Sequence, residues 1–563
     1  MSEYSLGKEL WHLPGRDNCI PEGWKVGYSL RPSVCTRKRG HLQIRSPELD
    51  FVLRVHNRVS PDSAPEHLVE GNNYVDTPCT CAAGLCHAME HRHRLLPKQT
   101  VVNGEVVTEK PRPFKIAPRH LKGYTVEQKK LGQRLWSVIK NSGRVPKTHL
   151  EKARTHSGTK RRHYEKCATE LEVHPLTSAE RGRVFHDGSV KWGELSARPR
   201  ALLVQSVRAK GVGEVKQGEL LRAPILVEGV YRDLEEDALH KYMHSRGHHY
   251  VASGMSLHKR ARKIREMVSP GDVVLSIDLA SFDGSIGETG VVERNDFLEN
   301  AEKLFGEDRQ LRVVIETQNR CTVQAGPLRA QLYGNRGSGT AGTSTGNKKI
   351  VLAALFYSLG PAARGHNAVK LFCDGDDTLI IVPREFQGDR WYRSWCRRMT
   401  ELGLEMKLEQ VLVDTPENPV TDDVRFCRAG IVETSRGPFL CKIPTDALKV
   451  ATNFRRHFRG SRFRDYCQTL SVSYKGTFGD VPVLCELSGL FDIGGRVDRG
   501  LLESSGLEYM MGKTCTEAGQ ISYSHRVSYW RTWGVTPEMQ LQCEQAIREL
   551  RDRLRPLLLA ANF

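Results

Sequence analysis

The chain has 563 residues, 39% of them hydrophobic, and its 84 Lys and Arg outnumber 66 Asp and Glu to leave a formal net charge of +18. That length supports several domains or one large multi-lobed enzyme, and the cationic excess calls for a polyanionic partner, nucleic acid ahead of an anionic membrane surface. No window reaches the roughly 18 apolar residues of a membrane span, since the longest run, Ile350 to Ala363, is interrupted by Gly360-Pro361 and reads as a buried helix.

The opening MSEYSLGKELWHLPGRD lacks the basic region and apolar core of a secretory signal. The 15 cysteines, scattered without framework spacing, are therefore expected as reduced thiols in a cytosolic setting. Residues 1–190 are rich in Pro, His, Arg and Lys and show few sustained apolar periods. One cluster stands out in CTCAAGLCHAMEHRH: Cys79, Cys81, Cys86, His87, His91 and His93 offer ligands for Zn²⁺, with Cys79, Cys81, Cys86 and His91 the candidate set. Its spacing matches no usual zinc-finger pattern, and free thiols with surface histidines are the alternative. Lys152, Arg154, Lys160, Arg161, Arg162 and Lys166 then form a basic stretch, either a solvated face or part of the chain-wide excess.

From about residue 190 the texture changes. Arg198-Pro199-Arg200 leads into apolar Ala201 to Val204, a basic turn entering a strand, with Arg208 and Lys210 beyond. Arginines fixed in that way suit a triphosphate, and a plain surface turn is the alternative. Residues 231–267 read as largely helical. The turn Ser269-Pro270-Gly271-Asp272 feeds a buried strand, Val273 to Ile277, that ends at Asp278, with Asp283 five residues on. A carboxylate at the end of a buried strand can hold a metal on a rigid element. A helix follows from about Val291 to Phe305, with Val291, Leu298, Ala301 and Phe305 on one face.

GNRGSGTAGTSTGNKKIVLAALFYSLG, from Gly334, is a small-residue loop running into a helix at about Thr343 to Leu359. Such a loop lets backbone and hydroxyls approach a polar ligand, although the phosphate-loop pattern GxxxxGK[ST] is absent. VKLFCDGDDTLIIV, Val369 to Val382, reads as a β-hairpin with Asp374, Asp376 and Asp377 around Gly375 at its tip. Adjacent carboxylates repel, so a hard cation such as Mg²⁺ or Mn²⁺ suits them; a solvated turn is the alternative, and Asp374 reads as a solvated neighbour. Trp391, Trp395, Met399 and Leu402 share a helix face ended by Gly403, and Leu404 to Glu409 alternates as a half-buried strand bearing Lys407. Val424 to Arg428 begins a second hairpin that returns near Phe439 to Ile443. Residues 450–563 read as mainly helical, with Arg455, Arg456, Arg459, Arg462 and Arg464 among Phe454, Phe458 and Phe463. That interleaving suits RNA backbone and stacked bases, or equally an amphipathic helix with its rings in the core.

Order and spacing carry more than any one motif. Asp278-x4-Asp283, then Ser338-Gly339-x3-Thr343-x3-Asn347, then Gly375-Asp376-Asp377, then Lys407, is the ordered palm set of viral RNA-dependent RNA polymerases, which the chain resembles from about Arg198 to Lys442. Arg198-Pro199-Arg200, Met406-Lys407, and Phe426-Cys427 followed by Lys442 are similar to the tombusvirus-like branch of positive-strand RNA viruses. The resemblance implies an α+β right hand: an antiparallel palm sheet backed by helices, with fingers and a helical thumb. The expected division is an N-terminal extension over 1–190, fingers over 191–272, a palm over 273–445 with a fingers insertion at about 287–333, and a thumb over 446–563.

It also implies roles. Asp278 and Asp376, assisted by Asp377, would hold two Mg²⁺ or Mn²⁺ ions for in-line transfer of a nucleotide to a 3′-hydroxyl. Asp283, Ser338 and Asn347 would read the ribose 2′-hydroxyl with support from Gly339 and Thr343, and Arg198 and Arg200 would hold the triphosphate. Lys407 would protonate pyrophosphate, while Phe426, Cys427, Lys442, Arg455, Arg456 and Arg459 would meet RNA. Expected partners are single-stranded RNA template, nascent RNA and ribonucleoside triphosphates. Other viral replication proteins and a host membrane reached through a partner are also expected, in a cytoplasmic, membrane-associated replication complex. A reverse transcriptase is disfavoured because Asp283 with Asn347 suits a 2′-hydroxyl. A basic replication scaffold with an inactive palm is disfavoured by the joint presence of Asp278, Asp376 and Asp377.

Overall fold

The computed structural model describes residues 34–38, 41–45, 52–56, 99–102, 105–108, 116–156, 158–176, 188–191, 200–203, 223–245, 249–279, 282–325, 328–337, 340–360, 369–383, 389–413, 423–444, 461–498 and 519–560. Two compact units divide the chain: Met1–Arg246, Leu279–Ala363 and Asp389–Lys407 make one, and Gly247–Asp278, Arg364–Gly388 and Leu408–Phe563 the other.

The first unit is built on helices. Pro118–Ser142 starts on a proline, whose fixed φ suits a first turn, and ends at Gly143 with φ 64°. Tyr124, Leu131, Leu135, Trp136 and Ile139 are buried along it at helical spacing, one sustained apolar period within residues 1–190. The signal is faint because buried Gln128 and Gly132 interrupt the stripe. Thr148 and Glu151 form a capping box that starts His149–Arg154. The basic stretch that begins inside this helix is partly neutralised: Lys152 Nζ lies 2.6 Å from Asp233 and Arg161 Nε 2.9 Å from Glu165.

The longer helices of this unit are Ala223–Ser245, Gly287–Phe305, Arg309–Asn319, Thr343–Leu359 and Asp389–Glu401. In Gly287–Phe305 the expected apolar face is wrong. Ala301 is buried, but Val291, Leu298 and Phe305 are only half-buried, while Thr289, Glu293, Arg294, Asp296 and Phe297 point inward. On Asp389–Glu401, Trp395 and Met399 are core residues as expected, with Leu402 just beyond. An antiparallel five-stranded sheet runs in the order Val34–Lys38, His41–Arg45, Val52–His56, Leu328–Tyr333, Arg320–Ala325. Gly188–Lys191 pairs with Arg200–Leu203 as a small ribbon, so Arg200 stands in a strand.

In the second unit a five-stranded sheet has the order Met406–Val413, Val273–Leu279, Asp377–Val382, Lys370–Asp374, His249–Val251. Its centre is antiparallel, as expected, but His249–Val251 runs parallel to Lys370–Asp374, so the sheet is mixed. The alternating segment starts at Met406 rather than Leu404 and lies at the edge, with Lys407, Leu408, Val411 and Val413 exposed. A three-stranded sheet follows. Its hairpin is Ala429–Thr434 with Gly437–Lys442, and Arg425–Phe426 folds back on Ala429–Gly430, so the expected pairing of 424–428 with 439–443 is corrected. Helices Ser461–Phe478, Tyr523–Trp533 and Pro537–Ala560 bear out the helical reading of the C-terminal part. Tyr466, Leu470, Tyr474 and Phe478 from the first of them pack with Phe439 and Tyr529 in one core cluster.

Candidate active site

The second unit carries the carboxylates. Asp374 pairs with Asp377 across the hairpin, leaving Gly375-Asp376 as a two-residue loop. Gly375 has φ 79° and Asp376 has no positive φ, the pattern of a II′ turn, whose twist matches that of the strands. A Cβ on Gly375 would meet nothing within 4 Å, so backbone conformation rather than space demands the glycine there. Leu371, Phe372, Cys373, Leu379 and Ile380 are buried in the arms and hold the tip rigid.

Thr378 pairs with Ile277 on the neighbouring strand, so one step further the register sets Asp278 level with Asp377. Burial pushes the Asp377 carboxyl up to about 7, and the charges of Asp376, Asp278 and Glu409 add to that, against a hydrogen bond from the Cys427 thiol that favours the ionised form. Asp374 is not a solvated neighbour: its Oδ2 lies 2.7 Å from Arg260 Nη1. Asp374 is thereby neutralised within the protein.

Cys427 and Arg428 form the two-residue loop between Arg425–Phe426 and Ala429–Thr434, with φ 52° and 58°. Positive φ at both positions is an I′ turn, normally made by Asn and Gly, so Cys and Arg there carry backbone strain. The strained turn brings the Cys427 thiol to Asp377, and burial first, then the nearby carboxylates, keep it a neutral donor. Phe426 is 1% exposed and packs edge-on against Phe372 at 5.1 Å, so any part it has at RNA is through the position of Cys427 rather than its own ring. Lys442 is exposed at the end of its strand.

The first unit carries the polar pair. Asn347 Nδ2 donates to Asp283 Oδ1 at 2.9 Å, and Asn347 Oδ1 accepts from Arg336 Nε at 3.1 Å. Thr343, one turn before Asn347 on the same helix, donates through Oγ1 to Gly337 O at 2.9 Å and closes the loop below it. Behind them lies a buried ion network that the sequence reading missed. Arg232 Nη1 reaches both Glu235 and Glu293 at 2.6 Å, and Arg336 Nη2 reaches Glu293 at 2.9 Å. Lys349 Nζ lies 3.3 Å from Glu293, a residue that burial alone would raise but that Arg232, Lys349 and Arg336 hold well below the usual carboxylate range. No local pattern announces these partners; Arg336, two residues before Ser338, lay inside a motif already singled out.

The zinc candidates Cys79, Cys81, Cys86, His87, His91 and His93, together with Arg198, Ser338, Gly339, Arg455, Arg456 and Arg459, lie outside the described residues. Among the described residues no group of three or more His, Cys, Asp or Glu side chains stands in metal-binding geometry. The charges of Asp376 and Asp278 nevertheless raise the cost of ionising Asp377, and as hard oxygen donors the three fit a hard divalent cation. No helix among the described residues is long and apolar enough to cross a membrane.

Comparison with known proteins gives the family of the chain. Residues 98–554 match the family described as viral RNA dependent RNA polymerase. The RNA-directed RNA polymerase of Pothos latent virus (isolate Pigeonpea/India) is 23% identical over 428 residues, 74% of this chain and 53% of the relative. The putative RNA-directed RNA polymerase of Barley yellow dwarf virus (isolate P-PAV) is 23% identical over 294 residues, 50% of this chain and 32% of the relative. That of Panicum mosaic virus (strain United States/Kansas 109S) is 24% identical over 249 residues, 42% of this chain and 23% of the relative. The chain thus spans between a quarter and about half the length of these curated relatives. With the family match running from residue 98 to 554 and the relatives drawn from tombusvirus-related plant viruses, the chain belongs to the viral RNA-dependent RNA polymerase family.

Proposed function

We propose that the protein is a template-directed RNA polymerase that adds ribonucleotides to a 3′-hydroxyl and copies a viral RNA genome. The observation that carries this reading is the crowding of Asp278, Asp376 and Asp377 on adjoining strands, with Asp377 pushed up to about 7 by burial and by its acidic neighbours. A fold does not keep such a cluster for stability, because each charge costs the others. Asp278 and Asp376 are the principal ligands for Mg²⁺ or Mn²⁺, and Asp377 assists. The chemistry that a bound pair of cations supplies is a lowered pKa of the attacking hydroxyl and neutralised charge on the leaving pyrophosphate.

The chain's own side chains do the rest. Asp283 accepts and Asn347 both donates and accepts, which matches a 2′-hydroxyl that does both. Ser338 reads the same hydroxyl, Gly339 and Thr343 support it, Arg198 and Arg200 hold the triphosphate, and Lys407, exposed at the edge strand, supplies a proton to pyrophosphate. Cys427, Lys442, Arg455, Arg456 and Arg459 face the RNA, with Phe426 as the packing base of Cys427. The reading assigns palm to 273–445, with a fingers insertion at about 287–333, fingers to 191–272 and thumb to 446–563. Residues 1–190 form an extension, with Cys79, Cys81, Cys86 and His91 as a zinc site. Action in a cytoplasmic, membrane-associated complex with other viral replication proteins completes it.

Purified protein supplied with a single-stranded RNA template, ribonucleotides and Mg²⁺ or Mn²⁺ is expected to extend RNA, and Asp376→Asn to abolish extension. Equal product from wild type and Asp376→Asn would overturn the reading. Metal analysis of wild type beside Cys79→Ala and Cys81→Ala tests the zinc assignment separately.

A further inference from the structure

Asn347 carries an amide whose two ends are chemically opposite, and its usefulness to a sugar depends on which end faces Asp283. A carboxylate only accepts, and a guanidinium only donates. Asp283 and Arg336 therefore demand the same orientation, and Arg336 is the one that holds the oxygen end. Its Nε faces Asn347 Oδ1 at 3.1 Å, which turns the amide NH₂ toward Asp283 Oδ1 at 2.9 Å. The Arg336 backbone N–H also donates to Asp283 O at 2.9 Å, so one residue holds both members of the pair.

Arg336 cannot swing away. Its side chain is 0% exposed and its Nη2 donates to Glu293, itself 0% exposed and bound by Arg232 and Lys349. Two glycines of the loop and helix make room for it. A Cβ on Gly342 would stand 2.8 Å from Arg336 Nη1, and one on Gly346 would stand 3.0 Å from Arg336 Cζ. The register of the small residues in GNRGSGTAGTSTGN thus follows the outline of a buried guanidinium.

We propose that Arg336, locked by Glu293, is a positioning residue for ribose selection: it fixes the polarity of the Asn347 amide and the place of Asp283, and so sets the preference for ribonucleotides over deoxyribonucleotides. This rests on the reading of Asp283 and Asn347 as the pair that meets the incoming sugar. Arg336 touches no substrate in this scheme and acts through Asn347.

The test is the ratio of kcat/KM for a ribonucleotide to that for the matching deoxyribonucleotide. Asn347→Ala is expected to lower the ratio by about 10- to 100-fold, the worth of a lost hydroxyl-reading group. Arg336→Lys keeps the charge for Glu293 but loses the Nε–H, and is expected to lower the ratio by about 5- to 10-fold. The loss should appear as a higher KM for the ribonucleotide with little change for the deoxyribonucleotide. In the Asn347→Ala background, Arg336→Lys should lower the ratio no further, which a merely structural role would not produce. Gly346→Ala, which displaces the guanidinium while leaving Arg336 in place, is expected to act in the same direction. Asn347→Asp keeps a partner for Arg336 but cannot donate to Asp283, and serves where Arg336→Lys does not fold; retained selectivity in Asn347→Asp would overturn the polarity argument by itself. An unchanged ratio in Asn347→Ala overturns the sugar reading. A relaxed ratio there with unchanged ratios in folded Arg336→Lys and Gly346→Ala overturns this inference alone.

Discussion

In the first unit, Arg232 is 2% exposed and lies among Glu228, Glu235 and Glu293, with Arg336 and Lys349 also paired to Glu293. In the second, the charges that act most strongly on Asp377 are Asp376, Asp278 and Glu409, all of one sign. Both sets are held by core-anchored elements, yet one is closed and the other open. Opposite charges within hydrogen-bond reach satisfy each other and leave nothing for a ligand to neutralise. Like charges around Asp377 raise the cost of ionising it, a cost that a bound cation would lower. The difference separates charge that builds a scaffold, which is buried, from charge kept for chemistry, which is only half-buried or exposed.

The largest effect should come from the open set. Asp376→Asn is expected to lower nucleotide incorporation by about 10³-fold or more, since it removes charge at the reacting centre. Primer-extension rates in Mg²⁺ and in Mn²⁺ check this, and a loss under tenfold in both would erase the contrast. The closed set should instead answer in stability. Glu293→Ala strands Arg232 and Arg336 without their shared partner and is expected to cost about 3–5 kcal/mol, measured by urea unfolding.

A closed pair inside the second unit serves as an internal control. Arg436 donates to both oxygens of Asp480, from Nη2 at 2.6 Å and from Nε at 2.9 Å. Burial works against the charged form, but Arg436 and Ser435 outweigh it and bring Asp480 down to about 2. A depressed folded pKa stabilises above the unfolded value, so the benefit should amount to about 2 kcal/mol at neutral pH and vanish as the pH falls from about 4 toward 2. The difference in unfolding free energy between wild type and Asp480→Asn across that window is the measurement.

The open set should show the reverse sign. Asp377 has a folded pKa of about 7, above its ordinary 3.8, so the folded state binds the extra proton between them. Without divalent cations, stability should therefore fall as pH rises from about 4 through 7, and Asp377→Asn should remove that fall and gain about 1 kcal/mol at pH 8, after discounting for partial exposure. Added Mg²⁺ should abolish the gain. A destabilised Asp377→Asn in metal-free buffer would place Asp377 in the closed class.

Much of the frame was legible locally. The hairpin around Gly375 was readable because its arms are continuous apolar runs and its tip needs a positive φ. The helix Thr343–Leu359 was bounded almost to the residue by small residues on one side and Gly360 on the other. The helix Pro118–Ser142 was hidden because polar Gln128 and small Gly132 are buried among its apolar positions. The buried face of Gly287–Phe305 was misread because apolar periodicity assumes that charges face water, and here Glu293 and Arg294 face inward.

The association of Asp283 with Asn347, 64 residues apart, followed from the family resemblance; the sequence by itself determined the order of the motifs, the place of Asp278 at the end of a strand and that of Asp376 and Asp377 at a hairpin tip. These depend on neighbours within one turn or one strand, where spacing alone dictates which side chains share a face. Only the tertiary structure decided that Asp374 belongs to Arg260, that Cys427 reaches Asp377 from a strained turn, and that Arg336 joins Asn347 to Glu293. Those partners are distant in the chain, and a charge carries no mark of which opposite charge it will meet. Coulomb attraction and desolvation act on distance in space, and that distance exists only once the core has packed.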